Sequence, residues 1–164
     1  MKVFGICGYS GSGKTTLLEA VIALMTNRGL KVSLVKHAHH GFDIDRPGKD
    51  SWRHREAGAG EIALITDKRW VLMHEARNEE PPRLDDILRR MSPCDLVLLE
   101  GFKRAAHPKI EVHRPILGKP PVWTEDCDIV AVASDAAIDC PLPRLDLNDP
   151  EQVAGFILEH VGLK

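Results

Sequence analysis

Residues 8–15 read Gly-Tyr-Ser-Gly-Ser-Gly-Lys-Thr, and residues 3–7 before them form the apolar run Val-Phe-Gly-Ile-Cys. The eight residues fit the phosphate-binding pattern G-x-x-x-x-G-K-[ST] at every required position. A strand, a glycine-rich loop and a helix in this order place a phosphate group at the N-terminus of the helix. The alternative is a glycine-rich turn without a ligand. Apolar residues recur after the loop at the spacing of a helix, which favours the phosphate site: Leu17, Leu18, Val21, Ile22 and Met25.

The residue types of this loop suit a nucleoside triphosphate bound with a metal ion. Glycines at positions 8, 11 and 13 allow successive backbone N–H groups to turn toward an anion. Lys14 brings a positive charge to the outer phosphates. It is also the candidate catalytic residue of the loop. The Thr15 hydroxyl can bind Mg²⁺, a cation that prefers oxygen ligands and usually also binds substrate phosphates.

Length and composition limit the class of protein to which this chain can belong. The 164 residues suit one domain, over 1–164, with a sizeable core. Apolar residues make up 43% and charged residues 28% of the chain, which is ordinary for a globular protein. The net charge of -2 provides no basic surface for nucleic acid or for a membrane. The four cysteines have no C-x-x-C spacing and no signal peptide is visible, so we expect a cytoplasmic protein.

The rest of the chain alternates predicted strands with predicted helices. Strands are expected over residues 32–36, 95–101 and 129–133, and residues 109–113 are expected to form an edge strand. Residues 61–66 and 69–74 are two apolar runs that predict a hairpin. Helices are expected around residues 84–91 and from Asp149 to Gly162. This alternation predicts an α/β fold with a mostly parallel sheet covered on both faces, plus an inserted β-hairpin.

Two carboxylates are candidates for the metal side of the site. In a parallel sheet the ligand lies at the carboxyl ends of the strands, which is where Glu100 ends its apolar strand. We therefore favour Glu100 over Asp95, which opens the same strand, as the acid on the Mg²⁺ side. The alternative is that Glu100 is only the first residue of the following loop. Asp45 follows the second predicted strand and could reach Mg²⁺ or a nucleophile over the γ-phosphate. It is almost as plausible that Asp45 only forms a turn before the Arg-Pro-Gly sequence that follows it.

Two further features leave alternatives open. His37, His39 and His40 suggest a metal cluster, but their spacing favours exposed or hydrogen-bonded histidines. Asp135 follows the predicted strand 129–133, and its carboxylate could accept both N1–H and N2–H₂ of a guanine edge. A helix cap or a turn explains Asp135 equally well.

Several stretches of the chain together resemble one family. They are residues 8–16 (Gly-Tyr-Ser-Gly-Ser-Gly-Lys-Thr-Thr), 35–40 (Val-Lys-His-Ala-His-His), 45–51 (Asp-Arg-Pro-Gly-Lys-Asp-Ser), 55–59 (Arg-Glu-Ala-Gly-Ala), 99–103 (Leu-Glu-Gly-Phe-Lys) and 132–135 (Val-Ala-Ser-Asp). The second and third stretches are far more specific than the phosphate loop, which very many nucleotide-binding families share. On these residues, and over most of its length, the chain resembles the MobB family of molybdopterin-guanine dinucleotide biosynthesis adapter proteins.

The resemblance implies a P-loop protein that binds GTP and Mg²⁺ and forms a homodimer through the hairpin region, residues 61–74. Such a protein would assist the guanylyltransferase that joins GMP to molybdopterin, with weak GTP hydrolysis at most. Direct contact with molybdopterin is left open, as is enzymatic activity. The acidic role on the Mg²⁺ side transfers to Glu100 and Asp45. The family's phosphate-binding role transfers to Gly11, Ser12, Gly13, Lys14, Thr15 and Thr16.

One alternative function uses the same residues. A stand-alone ATP-dependent enzyme, either a small kinase or a dethiobiotin-synthetase-like ligase, would also need Lys14, Thr15, Asp45 and Glu100. A group-transferring enzyme should shield its reaction from water with a lid, which often carries arginines. No clear arginine-rich lid is visible in the sequence, which favours the accessory nucleotide-binding protein.

Overall fold

The computed structural model describes residues 1–38, 41 and 43–163. The chain forms two compact units, one from Met1–Ala38 with Pro93–Lys164 and one within His39–Ser92. A single domain over 1–164 stays a prediction. No helix among the described residues combines the length and the apolar character that a membrane crossing requires.

The described part of the chain contains eight strands and four α-helices. In chain order they are β1 (Lys2–Cys7), α1 (Lys14–Asn27), β2 (Val32–Lys36), α2 (Asp50–Glu56), β3 (Glu61–Ile65), β4 (Trp70–His74), α3 (Leu84–Arg90), β5 (Leu96–Glu100), β6 (Lys109–Val112), β7 (Ile129–Ser134), β8 (Arg144–Asp146) and α4 (Pro150–Val161).

The first unit is built on a six-stranded sheet with the order β2-β5-β1-β6-β7-β8. Every pair of neighbouring strands is parallel. Together with the separate antiparallel pair β3–β4, this sheet confirms the predicted fold class. Because all six strands run the same way, their carboxyl ends meet at one edge, and β1 brings the phosphate loop to the middle of that edge.

Helices α1 and α4 pack against each other and cover one face of the sheet. Alternate residues of the central strands point into this layer, for example Phe4 and Ile6 of β1, which are both fully buried. Helix α4 begins as predicted: the Asp149 carboxylate accepts the N–H of Gln152 at 3.1 Å, and Pro150 follows the cap. The Gln152 side chain accepts the N–H of Asp146, so it ties the helix to the end of β8.

The prediction that residues 109–113 form an edge strand is wrong. Strand β6 lies between β1 and β7, and all four of its residues are buried. Its alternation of polar and apolar residues resembles that of a half-solvated strand, but the polar side chains have partners. Lys109 forms a 2.8 Å ion pair with Asp126, and Glu111 accepts the backbone N–H groups of Val122 and Trp123. These contacts satisfy the buried charges on the face opposite the helices.

The second unit contains the predicted hairpin. Strands β3 and β4 pair in antiparallel register, with Ile65 opposite Trp70 beside the turn. The Thr66 hydroxyl closes that turn by donating to the Arg69 carbonyl at 3.0 Å. The turn end of the hairpin is therefore defined by contacts between residues that are close in the sequence.

Candidate functional site

The phosphate loop connects β1 to α1 and requires glycine for two different reasons. At Gly8, φ is +138°, and an added Cβ would lie 2.4 Å from the Val112 carbonyl oxygen. Strand β6 therefore approaches the loop too closely for any side chain at that position. Gly13 has φ +96° at the start of α1, where no side chain caps the helix. The first N–H groups of α1 are consequently left to bind an anion.

Lys14 occupies the first position of α1 and folds back over the loop. Its Nζ donates a 2.7 Å hydrogen bond to the Tyr9 carbonyl oxygen. Burial lowers the pKa of Lys14 below its ordinary value, an effect that the nearby Glu100 carboxylate partly opposes. An anion on the loop would stabilise the charged ammonium, so this position suits a phosphate ligand.

Thr15 and Glu100 meet at the carboxyl edge of the sheet. The Thr15 hydroxyl donates a 2.8 Å hydrogen bond to Oε1 of Glu100, whose side chain is almost fully buried. The ammonium of Lys36, at the end of β2, lies 3.1 Å from the same carboxylate oxygen. The first unit thus brings together three residues from the ends of different elements, α1, β5 and β2.

This donor set fits Mg²⁺ with phosphate, but not a metal held by protein alone. Within the part of the chain that the structure describes, no group of three or more His, Cys, Asp or Glu side chains could hold a metal ion. Mg²⁺ commonly takes one or two protein oxygens and completes its shell with phosphates and water. Thr15 and Glu100 supply oxygens of that kind beside the loop. The site is therefore suited to a metal that arrives with a nucleotide.

Arg114 and Asp135 lie on the other side of the loop. Arg114 follows β6 and Asp135 follows β7, and the guanidinium Nε is 3.3 Å from the Asp135 Oδ2. A cavity of about 460 Å³ opens between this arginine, the loop and the start of α4. Its lining residues include Gly11, Gly13, Thr16, Leu147, Asn148 and Pro150.

The predicted residue Asp45 belongs to the second unit. Its side chain is only 2% exposed, and its Oδ1 lies 3.3 Å from the guanidinium of Arg55. The other carboxylate oxygen is buried and accepts no hydrogen bond. The structure therefore explains the burial of Asp45 by an ion pair within its own unit, and its role at a phosphate stays a prediction.

The predicted histidine cluster falls partly outside the described residues, which omit His39 and His40. The ring of His37 packs edge-on against Phe102, with 5.3 Å between the ring centroids. His37 also donates its backbone N–H to the Glu100 carbonyl at 2.9 Å. These contacts give His37 a structural place beside the end of β5.

Three cationic residues near the loop were missed in the sequence. Lys36 pairs with Glu100, Arg114 pairs with Asp135, and Lys103 lies 3.8 Å from the centre of the Tyr9 ring. The position of Lys36 at the end of a parallel strand was a usable signal. Arg114 would have been found in the same way if β6 had been recognised as an interior strand. The position of Lys103 depends on the turn after β5, where Phe102 adopts the unusual φ of +40°. The sequence gives no signal for that turn.

Known proteins resemble this chain over most of its length. The family described as molybdopterin guanine dinucleotide synthesis protein B, MobB, matches residues 3–135. The chain is 42% identical to a molybdopterin-guanine dinucleotide biosynthesis adapter protein of Haemophilus influenzae over 96% of its own length and 88% of that protein. Identity to the adapter protein of the same description from Escherichia coli is 40%, over 97% and 93% of the two chains.

A solved structure supports the same relationship. The crystal structure of a molybdopterin-guanine biosynthesis protein B superposes with a TM-score of 0.77 at 30% identity, over 96% of this chain and 99% of that one. The family match spans the phosphate loop, Glu100, Arg114 and Asp135 alike. The chain therefore belongs to the MobB family.

Proposed function

We propose that this protein is a GTP-binding adapter that assists a guanylyltransferase in attaching GMP to molybdopterin. Its membership of the MobB family supports the biosynthetic context. The observation that carries the nucleotide part is the contact between Thr15 and Glu100 beside the uncapped start of α1. A hydroxyl and a carboxylate beside free helix N–H groups support the binding of a magnesium-bound triphosphate.

In this proposal, different groups of the loop bind different parts of the triphosphate. Backbone N–H groups at the start of α1 bind phosphate oxygens, and Lys14 neutralises the outer phosphates. The Thr15 hydroxyl donates its hydrogen bond to Glu100, which leaves the oxygen lone pairs of Thr15 available to a cation. Mg²⁺, when bound with the nucleotide, would supply charge neutralisation between the β- and γ-phosphates.

We expect any GTP hydrolysis by this chain to be slow. The Glu100 carboxylate is occupied by Thr15 and Lys36, so it is poorly placed to take a proton from an attacking water. Beside Lys14, we propose Asp45 as a catalytic residue; Oδ1 of its carboxylate pairs with Arg55, and Oδ2 accepts no hydrogen bond. Asp45→Asn should lower the hydrolysis rate without changing GTP affinity. Equal hydrolysis rates in the two proteins would remove Asp45 from the mechanism.

The nucleotide assignment is tested by calorimetry with Mg²⁺ present. GTP should bind more tightly than ATP; an equal or reversed preference would favour the alternative ATP-dependent enzyme. Lys14→Ala should weaken triphosphate binding by roughly tenfold to a hundredfold, since a hydrogen bond to a charged group contributes about 1.5–3 kcal/mol. The exposed Lys31, at the opposite end of the sheet, provides the control Lys31→Ala. Unchanged affinity in Lys14→Ala would show that the loop is not the site.

The adapter role is tested with the partner enzyme. Purified protein loaded with GTP and Mg²⁺ should retain the molybdopterin guanylyltransferase of its own host in a pull-down. Adding molybdopterin to that assay examines whether the pterin contacts this chain. Tight binding of a small-molecule acceptor, without retention of the transferase, would instead support a stand-alone enzyme.

We further propose that the protein forms a homodimer through its hairpin. The hairpin exposes large apolar side chains that a soluble monomer seldom presents together. Ile65 is 77% exposed and Trp70 is 68% exposed, and the two lie directly opposite each other. Leu64 and Leu72 add further exposed apolar surface on the same two strands.

A further inference from the structure

We propose that Arg114 is a nucleotide-binding residue whose ion pair with Asp135 couples phosphate binding to recognition of the base. In this proposal Arg114 binds a phosphate of the nucleotide on the loop and thereby releases Asp135. The freed carboxylate then accepts N–H groups from the edge of guanine. The inference rests on the proposed function, because it requires a nucleoside phosphate on the phosphate loop.

The topology places both residues on one side of the loop. Strand β1 lies between β5 and β6, so Glu100 is on one side of the loop and Arg114 on the other. Asp135 is one strand further along, at the end of β7. A triphosphate with its metal toward Glu100 therefore extends its nucleoside toward Arg114 and then Asp135.

Arg114 is close enough to the loop to bind a phosphate. Its Nη2 lies 3.6 Å from the position that a Cβ on Gly13 would occupy. The same guanidinium lines the cavity beside Gly11 and Thr16. A planar guanidinium can donate two parallel hydrogen bonds to a phosphate, which makes it well suited to this position.

The contact between Arg114 and Asp135 is suited to exchange. The distance from Nε to Oδ2 is 3.3 Å, but the buried Nε makes no hydrogen bond, so the two groups form only an ion pair. Their side chains are 35% and 29% exposed, and ion pairs of such exposure contribute little to stability. A phosphate offers Arg114 shorter and better-directed bonds than Asp135 does.

Two neighbouring cavities provide the space for the nucleoside. The cavity of about 460 Å³ lies beside the loop, and a second one of about 540 Å³ is lined by Asp135 and the residues after it. Asn148 lines both cavities. Each volume lies within the range of roughly 300–1,000 Å³ that is typical of small-molecule sites.

This arrangement predicts that losing Arg114 affects ligands with and without phosphate differently. Guanosine has no phosphate, so it must compete with Arg114 for the Asp135 carboxylate. GTP displaces Arg114 with its own phosphate. Loss of the guanidinium should therefore weaken GTP binding and leave guanosine binding equal or stronger. A residue that only maintained the fold would weaken both.

The test compares the affinities of GTP, ATP and guanosine for the full chain with Mg²⁺, by competition against fluorescently labelled GDP. Arg114→Gln should weaken GTP and ATP by at least about tenfold, as expected for a lost charge-assisted bond. Its affinity for guanosine should be unchanged or higher. Arg114→Lys, which keeps the charge without the planar fork, should recover part of the GTP affinity. Asp135→Asn should abolish the preference for GTP over ATP and leave ATP affinity unchanged or higher, because it also removes the carboxylate that competes with phosphate for Arg114.

The controls separate this inference from the proposed function. Lys119→Gln removes an exposed positive charge five positions after Arg114 and should leave all three affinities unchanged. If Lys14→Ala weakens GTP binding but Arg114→Gln does not, the inference about Arg114 fails and the loop site stands. Parallel loss of GTP and guanosine affinity in Arg114→Gln would also overturn it. If wild-type protein binds no GTP, both the proposed function and this inference fail.

Discussion

Thr15 and Glu100 are 85 positions apart in the sequence, yet the Thr15 hydroxyl donates a 2.8 Å hydrogen bond to the Glu100 carboxylate. The contact exists because β1 and β5 are parallel neighbours, so the loop after one strand and the last residue of the other share an edge. The hydroxyl has a single proton, and that proton is used in the hydrogen bond to Glu100. Its lone pairs are therefore oriented away from the carboxylate and remain available to a cation.

Glu100→Gln should weaken GTP binding in the presence of Mg²⁺ and leave metal-free binding nearly unchanged. Glutamine can still accept the bond from Thr15, but it lacks the negative charge that favours the metal. Loss of such a supporting group typically costs about 10–100-fold in metal affinity. Calorimetry with Mg²⁺ and with a chelator measures the difference. Asp95→Asn, at the opposite end of the same strand, is the control, and equal losses under both conditions would contradict a role at the metal.

Trp70→Ser should dissociate the proposed homodimer. Truncating a central aromatic residue of an interface commonly costs about 2 kcal/mol or more, which raises the dissociation constant roughly thirtyfold. Sedimentation equilibrium measures this change. Ile116→Ser is a matched control, because Ile116 is 87% exposed but belongs to the first unit. A wild-type monomer, or a dimer that only the Ile116 change dissociates, would exclude the hairpin as the interface.

The hairpin should lose stability as the pH rises through the pKa of His74. The two ring nitrogens of His74 each lie 2.9 Å from a carboxylate oxygen, of Glu61 and of Glu79. These hydrogen bonds, that of Glu61 first, raise the pKa of His74 above its ordinary 6.5. A folded-state pKa above the unfolded one gives a stabilisation that is complete below about pH 6.5 and is lost above the raised value.

The difference in melting temperature between wild type and His74→Gln measures this contribution. It should be largest near about pH 5 and should shrink toward about pH 9, as His74 loses its proton. His54→Gln replaces another exposed histidine of the same unit and serves as the control. A difference that does not change with pH would mean that the charge of His74 is unimportant.

Cys7 should resist alkylation in the native protein. It is fully buried on β1, and burial, followed by the nearby Glu111 carboxylate, raises the pKa of Cys7 to about 12. The reactive thiolate is therefore scarce near pH 8 as well as inaccessible. Iodoacetamide and peptide mass spectrometry should show modification of the exposed Cys127 and protection of Cys7 until denaturant is added. Rapid labelling of Cys7 without denaturant would show that β1 opens readily.

Gly5→Ala should destabilise the first unit. A Cβ at Gly5 would lie 2.8 Å from the Cβ of Lys109 on the neighbouring strand. Such overpacking typically costs about 1–3 kcal/mol. Gly155→Ala is the matched control: Gly155 lies in α4 with open space around it, and alanine should stabilise a helix there by about 1 kcal/mol. Urea unfolding measures both, and a neutral Gly5→Ala would show that β1 and β6 can separate.

Local patterns were sufficient for much of the fold. The spacing of apolar residues in α1 and the β-branched run of β2 each reflect interactions between near neighbours in the chain. The failure at β6 has a different origin. Lys109 and Glu111 are buried because Asp126 and the backbone of Val122 satisfy them, and these partners lie more than ten positions away. Strand β8 has three residues, which is too short for a periodic signal.

The same distinction applies to the candidate site. Lys14 and Thr15 follow from a continuous motif, and the meeting of Thr15 with Glu100 follows from the rule that parallel strands share a carboxyl edge. Arg114 could not be placed without the strand order. Asp45 remains a prediction because the pairing of its carboxylate with Arg55 belongs to the second unit.

The strand order also determines how late in its own synthesis the chain can pair the strand that carries the phosphate loop. Strands β1 and β2 are the first to leave the ribosome, but they do not pair with each other; both pair with β5. Until Leu96–Glu100 has emerged, the strand that carries the phosphate loop has no neighbour in the sheet. Contacts of such long sequence separation form late. The complete phosphate loop is therefore synthesised well before the strands that hold β1 in the sheet, and the proposed nucleotide site would be assembled only after β5 has been made.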